Sequence, residues 1–321
     1  AIMNLPKGTE HFMSDLHGEY DAFYHIINNC SGVIREKVAM LYGDELTVYE
    51  QQELCTLIYY PREKLSILMD ENKVNDEWYR NVLNHLIQIA KLLSSKYTRS
   101  KVRKAMPVDF AYIIDELIHA QKDEDDNRSV YHRQIMETIL SLHNGDEFLV
   151  ALTDLIKRLA VDHLHILGDI YDRGSHADKI LDLLMEHHSV DIQWGNHDIL
   201  WMGAFCGNPV CMALVVRNNI KYKTMSILEN GYGISLRFLL QFAVNTYSDK
   251  NVDDAVYKAI SVILFKLEGQ LIKRHPEYRM EGRLLLDKMN LDKGTVRIGD
   301  KDYFLNTNEF PTVDMNNPYE L

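Results

Sequence analysis

The sequence predicts an α/β fold that carries a large helical insertion. Three short extended segments, at 11–14, 161–167 and 190–194, are each followed by a polar motif and then by a helix-like stretch, an alternation typical of α/β folds. Between the first two of these segments the apolar residues recur at helical spacing. With 321 residues, 46% of them hydrophobic, the chain is long enough to bury a sizeable core.

The first extended segment, 11–14, runs into the motif DLHG at 15–18. A helix is expected over 19–30, because apolar residues such as Phe23 and Ile27 recur there at helical spacing. This strand, motif and helix define a first region, residues 1–32, as the start of the α/β core.

The helical insertion is expected over 33–157. One long amphipathic helix presents Trp78, Leu86 and Leu93 on a single face, and Ser129 is expected to cap the start of another. Further helices are expected over 109–120 and 146–160.

The core resumes at 158–321. The apolar segment 161–167 precedes the motif GDIYDRG at 168–174 and a helix over 177–187, and the segment 190–194 precedes the motif GNHD at 195–198 and a helix over 199–205. Ligands of open α/β sheets bind at the carboxyl ends of the strands. The three motifs are therefore expected to meet at one site.

The last part of this region predicts additional helices and a hairpin. A helix over 252–273 should end at His275-Pro276, since proline cannot continue a helix. Two short strands, 295–298 and 302–305, are joined across Gly299 and read as a hairpin. The polar tail, 306–321, is expected to be frayed.

Composition excludes some classes of partner. A net charge of −12 argues against a general nucleic-acid or anionic-membrane surface, although metal cations in a site can still attract a small anionic substrate. The apolar runs are too short to span a membrane. No secretory signal is recognised in 1–8, so a cytoplasmic protein is expected. Cys206 and Cys211 are interpreted as ordinary thiols rather than half of a zinc site.

The motifs supply the ligands of a two-metal phosphate-ester hydrolase. Two divalent ions about 3.5–4 Å apart activate water and neutralise phosphate charge. Asp15 and His17 stand two positions apart on a segment expected to be extended, so that both reach one ion. Asp169 is the natural bridging carboxylate, and Asn196 offers an amide oxygen to the second ion. Such mixed nitrogen and oxygen ligands suit manganese, iron or zinc.

Three further residues have catalytic chemistry. Arg173 can hold two phosphate oxygens at once, which lysine does poorly. His197 can donate a proton to the leaving alkoxide when a carboxylate, here Asp172, holds it.

Taken alone, GNHD and DRG are each more commonly a turn, and DLHG is about equally a turn or a site. All of them together, in order after three strands, indicate a site. His163 and His165 are instead interpreted as partly buried structural residues.

These motifs resemble the calcineurin-type metallophosphoesterases, in particular their phosphoprotein-phosphatase-like branch. The segments FMSDLHGEY at 12–20 and 54–65, with the helical insertion, are similar to class III fructose-1,6-bisphosphatases. The resemblance implies an incomplete metallophosphoesterase sandwich and gluconeogenic hydrolysis of the 1-phosphate of fructose 1,6-bisphosphate by attack of a metal-bound hydroxide. It also implies Mn²⁺, binuclear in the full-length protein. By position, the metal ligands of that family correspond to Asp15, His17, Asp169 and Asn196. Its general acid and the partner carboxylate correspond to His197 and Asp172, and its phosphate-binding arginine to Arg173.

The sequence departs from that family in its later half. Family members continue further and take two more histidines for the second metal, whereas here no histidine lies between His197 and His275. We therefore expect a truncated or proteolysed chain with a well-formed first metal site, a weak or vacant second site and little turnover.

Two other functions stay open on sequence grounds. The same core serves phosphoprotein and dinucleotide-polyphosphate phosphatases, but the helical insertion favours the sugar bisphosphatase. A non-catalytic metal-binding scaffold is disfavoured because Asp172, Arg173 and His197 are all present. The expected partner is a small sugar bisphosphate, and an oligomer is compatible with the sequence.

Overall fold

The structure, a computed structural model, describes residues 8–119, 126–247, 251–307 and 309–321, with the backbone alone at 126–129. Residues 1–7, which contribute to the expectation of no secretory signal, lie outside this part.

The described residues form a helix-rich α/β structure, as predicted. Its strands are β1 (Glu10–Met13), β2 (His163–Leu167), β3 (Val190–Gln193), β4 (Met289–Asn290), β5 (Thr295–Ile298) and β6 (Lys301–Phe304). Its helices are α1 (Tyr20–Asn29), α2 (Val33–Tyr42), α3 (Val48–Tyr59), α4 (Pro61–Asp70), α5 (Asp76–Ser94), α6 (Arg99–Ala105), α7 (Ala111–His119), α8 (Asp126–Ser141), α9 (Gly145–Ala160), α10 (Ala177–Glu186), α11 (Asn196–Phe205), α12 (Pro209–Tyr222), α13 (Arg237–Thr246) and α14 (Val252–Arg274).

Two three-stranded sheets contain these strands. The first has the order β1-β2-β3, and its β1 and β2 run parallel with Glu10 opposite His163. The second has the order β4-β5-β6 and is antiparallel, with Thr295 opposite Phe304. The three predicted core strands and the predicted hairpin are thus confirmed.

The chain divides into two compact units. In the described residues the first comprises 8–13, 21–119, 126–166 and 186–192, and the second takes the remainder. Helices α2 to α9 all fall in the first unit, which confirms that the interval between the first two motifs is helical. The predicted region boundaries near 32 and 157 stay a prediction.

The core of the first unit is built on the apolar face of α5. Leu86 and Leu93 on that face are buried together with Phe148 of α9, and each such side chain contributes roughly 1.5–3 kcal/mol by leaving water. The helix begins where the Asn75 carboxamide oxygen accepts the Trp78 N–H at 2.8 Å. This side-chain cap satisfies an N–H group that the first turn leaves unpaired.

One predicted helix start is wrong. Helix α8 begins at Asp126, so Ser129 lies within the helix and not at its N-cap. Serine occurs inside helices as well as at their N-caps, so the residue type alone does not mark a helix start.

The tail, 306–321, was predicted to be frayed, and this is also wrong. Val313 and Tyr319 are buried, and Gln270 of α14 donates a hydrogen bond to the Tyr319 carbonyl at 2.7 Å. A Cβ atom at Gly269 would lie 2.0 Å from the Tyr319 ring, so the missing side chain of α14 makes room for the tyrosine. Two apolar residues are enough to anchor a polar segment when a helix offers them a matching surface.

None of the helices in the described residues combines the length and the apolar character that a bilayer crossing requires.

Candidate metal centre

Three loops, each directly following a strand of the first sheet, carry the predicted site residues. All of these residues belong to the second unit. The backbone joins the first two loops, because His17 N–H donates to the Asp169 carbonyl at 2.8 Å and Gly18 N–H donates to the Ile170 carbonyl at 2.8 Å. The first motif is therefore held in register against the second.

The backbone around the first motif is not extended. Asp15 and His17 have φ values of 56° and 48°, and Asp169 has 55°. Residues other than glycine seldom adopt this left-handed region, which costs of the order of 1–3 kcal/mol each and is concentrated at functional sites. The prediction that Asp15 and His17 lie together is confirmed, but its reason, alternation along a strand, is wrong. Strand β1 ends at Met13, and the contacts of the loop set the side-chain directions.

Asp15, His17 and Asp169 form a group that could hold a metal ion. Each offers one ligand atom, and these atoms all lie within 4.8 Å of one another. His17 Nε2 is 3.7 Å from Asp15 Oδ1. Ligand atoms that share one ion at about 2 Å each are about 3–4 Å apart, so small side-chain movements would bring this group onto an ion.

Asp172 lies at the centre of the remaining predicted residues. Its side chain is only 6% exposed, and its Oδ1 is 3.5 Å from His197 Nδ1. Its Oδ2 accepts the Arg173 Nε–H at 2.9 Å and lies 4.0 Å from His17 Nε2. The structure thus brings the predicted acid, its carboxylate and the predicted phosphate ligand together.

Oδ1 of Asp172, the oxygen that faces His197 Nδ1 at 3.5 Å, is buried and accepts no hydrogen bond. An unsatisfied buried charged group costs free energy, and a nearby cation would offset that cost. This unpaired oxygen and the carboxylate–imidazole donor set fit a divalent metal ion.

Asp169 is held at the start of α11. Its Oδ1 accepts the His197 N–H at 3.2 Å, where the partial positive charge of the helix N-terminus stabilises a carboxylate. A Cβ atom at Gly195 would lie 2.1 Å from the same Oδ1, so only glycine leaves room for it. Asn196, the first residue of α11, is exposed next to His197.

Asp198 is a residue of this centre that the sequence did not single out. Its buried carboxylate accepts backbone N–H groups from Ile170 at 2.9 Å and Tyr171 at 3.1 Å on Oδ1, and from Gly195 at 2.8 Å on Oδ2. It therefore ties the second motif to the third. The sequence did contain one indication of this role. Asp198 follows Gly195 by three residues, which is where an acidic residue stands in a helix-capping pattern.

An aromatic cluster also adjoins the second motif. The Tyr171 ring stacks on Trp201 with centroids 4.3 Å apart, and its hydroxyl is 2.6 Å from that of Tyr232. Burial raises the pKa of both tyrosines, and for Tyr171 the hydrogen bond raises it further. Both phenols stay neutral, so the cluster supports the loop without adding charge.

The cysteines take no part in this centre. Cys206 and Cys211 are free thiols, and neither belongs to a metal-ligand group among the described residues.

Comparison with known proteins places the whole chain in one group. A family model described as Firmicute fructose-1,6-bisphosphatase matches residues 1–321. A class 3 fructose-1,6-bisphosphatase of Clostridium beijerinckii is 51% identical over 341 residues, which cover 100% of this chain and 51% of that protein. The Clostridium acetobutylicum class 3 enzyme is 49% identical with the same coverage, and that of Clostridium tetani is 50% identical over 340 residues, again covering 100% and 51%.

The chain spans about half the length of the curated relatives it matches. No solved structure matches it significantly.

Proposed function

The chain belongs to the Firmicute fructose-1,6-bisphosphatase family, and from that premise we propose that it hydrolyses the 1-phosphate of fructose 1,6-bisphosphate in gluconeogenesis. The observation that carries the proposal is the convergence of a carboxylate–imidazole group with a partly buried acid–base pair. Asp15, His17 and Asp169 supply the first, and Asp172 with His197 supplies the second.

The metal ligands follow from this arrangement. We assign Asp15, His17 and Asp169 to one ion, and Asp169 with the neighbouring Asn196 to a second. Divalent ions bound there would polarise the phosphate oxygens and activate water for attack on phosphorus. Mn²⁺ is the metal that the family resemblance implies, and the mixed carboxylate, amide and imidazole ligands are compatible with it as they are with iron or zinc.

His197 is the proposed proton donor. Asp172 faces its Nδ1 at 3.5 Å, which leaves Nε2 to carry the proton to the sugar oxygen as it departs. An imidazole held in place in this way can act as a general acid towards a departing alkoxide.

Arg173 is the proposed phosphate ligand. Asp172 accepts the Nε–H of Arg173 at 2.9 Å, and this contact orients a side chain that is 63% exposed. The two terminal nitrogens of the guanidinium then have the planar geometry that binds two phosphate oxygens together.

Three wider features belong to the same proposal. The sheet β1-β2-β3 is one part of a metallophosphoesterase sandwich, and α2 to α9 are an insertion in it. The partner is a small sugar bisphosphate, and the protein works in the cytoplasm. The net charge of −12 disfavours a polyanionic surface ligand.

The test is phosphate release by the purified chain loaded with Mn²⁺. The protein concentration should be high, because a second ion with few ligands is expected to give slow turnover. Fructose 6-phosphate is the expected product. His197→Asn should lower the rate about 100- to 10,000-fold while Mn²⁺ binding is retained, and Asp169→Asn should lose both. His275→Gln, which changes an imidazole outside the centre, is the control.

Hydrolysis that survives Asp169→Asn would show that the rate does not come from this centre. Faster release from a phosphopeptide or a dinucleotide polyphosphate than from the sugar would replace the proposed substrate by one of those.

A further inference from the structure

A second group of metal-ligand side chains lies in the first unit, on one face of the sheet β1-β2-β3. His163 and His165 stand two positions apart on β2, so both imidazoles project from the same face. Asp191 on β3 meets them there. The sequence suggested only a structural role for the two histidines, since it did not reveal which residue of β3 they would face.

The donor atoms of this group are close together. His165 Nδ1 is 2.7 Å from Asp191 Oδ1, and His163 Nε2 is 3.3 Å from Asp191 Oδ2. All three residues offer ligand atoms within 4.8 Å of one another. In a tetrahedral site with bonds of about 2 Å, the ligand atoms are about 3.3 Å apart. The distances from the two histidine nitrogens to the Asp191 oxygens are already close to that value.

Neighbouring groups fix the orientation of both rings. The Ser189 hydroxyl is 2.6 Å from His163 Nδ1, which directs Nε2 towards Asp191. The Phe12 ring stacks on His165 with centroids 4.4 Å apart and an interplanar angle of 12°. Partners that orient ligands in this way typically accompany metal-binding histidines.

The group is accessible and negatively charged. The side chains of His163, His165 and Asp191 are 30%, 20% and 56% exposed. Hydrogen bonding from His165 lowers the pKa of the Asp191 carboxyl, which keeps it ionised. Glu10 Oε2 lies 3.8 Å from His165 Nε2 and adds a second negative charge.

We propose that His163, His165 and Asp191 bind one divalent transition-metal ion of the zinc type, separate from the centre at Asp15, His17 and Asp169. Two imidazoles and one carboxylate leave a fourth position for water or an exogenous ligand. On binding, the ion takes the place of the hydrogen atom between His165 Nδ1 and Asp191, and the neutral imidazole carries its single proton on Nε2.

The experiment uses the whole chain with the double substitution His17→Gln/Asp169→Asn, which disables the other centre. Co²⁺ is titrated and followed by its visible absorption, and Zn²⁺ stoichiometry is measured after dialysis. We expect one ion per chain and the absorption of a four-coordinate nitrogen–oxygen site. Adding His163→Gln or His165→Gln should weaken binding at least about 10-fold, since loss of a residue that only orients a ligand typically costs 10- to 100-fold. Adding His275→Gln should change nothing.

Asp191→Asn is a variant that is expected to fold, because its amide can still hydrogen-bond to the imidazoles. It lacks only the anionic ligand. Circular dichroism should match the parent, and binding should weaken as with the histidine variants. If the background chain binds no ion, or if binding is unchanged in His163→Gln/His165→Gln, the cluster is only a hydrogen-bond network and the proposal fails. Phosphate release by a chain carrying His163→Gln alone should equal that of the parent, so failure here is distinguishable from failure of the proposed hydrolysis.

Discussion

The Asp198 carboxylate accepts the backbone N–H of Ile170 at 2.9 Å across 28 positions of chain. Asp198 is only 6% exposed. Its carboxylate also accepts the backbone N–H groups of Tyr171 and Gly195. One buried carboxylate therefore sets the spacing between the loop that carries Asp169 and the loop that carries His197, although it offers no atom to substrate or metal in our proposal.

Replacing Asp198 by asparagine should destabilise the protein. The amide nitrogen would face backbone N–H groups in place of an acceptor oxygen, and a buried unsatisfied donor costs about 1–3 kcal/mol. The free energy of unfolding from urea denaturation measures this, with the exposed residue change Asp300→Asn as control. A loss no larger than that of the control would mean that the loops hold their spacing without Asp198.

Gly195→Ala should weaken metal binding. The new Cβ would lie 2.1 Å from Asp169 Oδ1, so the carboxylate must move, and displaced ligand supports typically cost 10- to 100-fold in affinity. Mn²⁺ affinity by calorimetry is the measurement. Gly282→Ala, where a Cβ meets no atom within 4 Å, is the matched control, and equal affinities for the two variants would contradict the prediction.

Gly269→Ala should loosen the C-terminal segment. Alanine favours a helix by about 1 kcal/mol over glycine, but its Cβ would lie 2.0 Å from the Tyr319 ring, and overpacking of this kind costs about 1–3 kcal/mol. We expect a net loss of stability and faster proteolysis after residue 306.

A double-mutant cycle separates these two effects. In a Tyr319→Ala background the clash is absent, so Gly269→Ala should become neutral or stabilising. Additive effects of the two substitutions would show that the ring does not occupy the space beside Gly269.

His187 should make stability depend on pH. Burial, with the neighbouring His188 as the next cause, lowers its pKa from 6.5 to about 4. The unfolded chain therefore takes up a proton near pH 6.5 that the folded protein resists until about pH 4, so stability contributed by this residue is present above pH 6.5 and is lost as the pH falls through that window.

The comparison is between urea midpoints at pH 7, 5.5 and 4.5. His187→Gln should lose less stability on acidification than the parent chain, and His275→Gln should follow the parent. Parallel curves for His187→Gln and the parent would assign the acid sensitivity to other groups.

Local patterns predicted much of the fold. The apolar face of α5, the span of α9, the hairpin β5–β6 and the order of strand, motif and helix around the metal-ligand residues could all be predicted. Periodicity and turn residues act over only a few positions. The N-cap at Ser129 was wrong, because α8 already includes Asp126 and serine is tolerated inside helices as well as at their starts.

By itself, the sequence determined which ligand types are present and in what order they follow the strands. Only the tertiary structure decided the left-handed backbone at Asp15 and His17, the anchoring of two loops by Asp198, and the meeting of His163 and His165 with Asp191. The physical reason is that each of these depends on hydrogen bonds or packing between residues distant in the chain. Their free energy comes from the assembled fold rather than from any local preference.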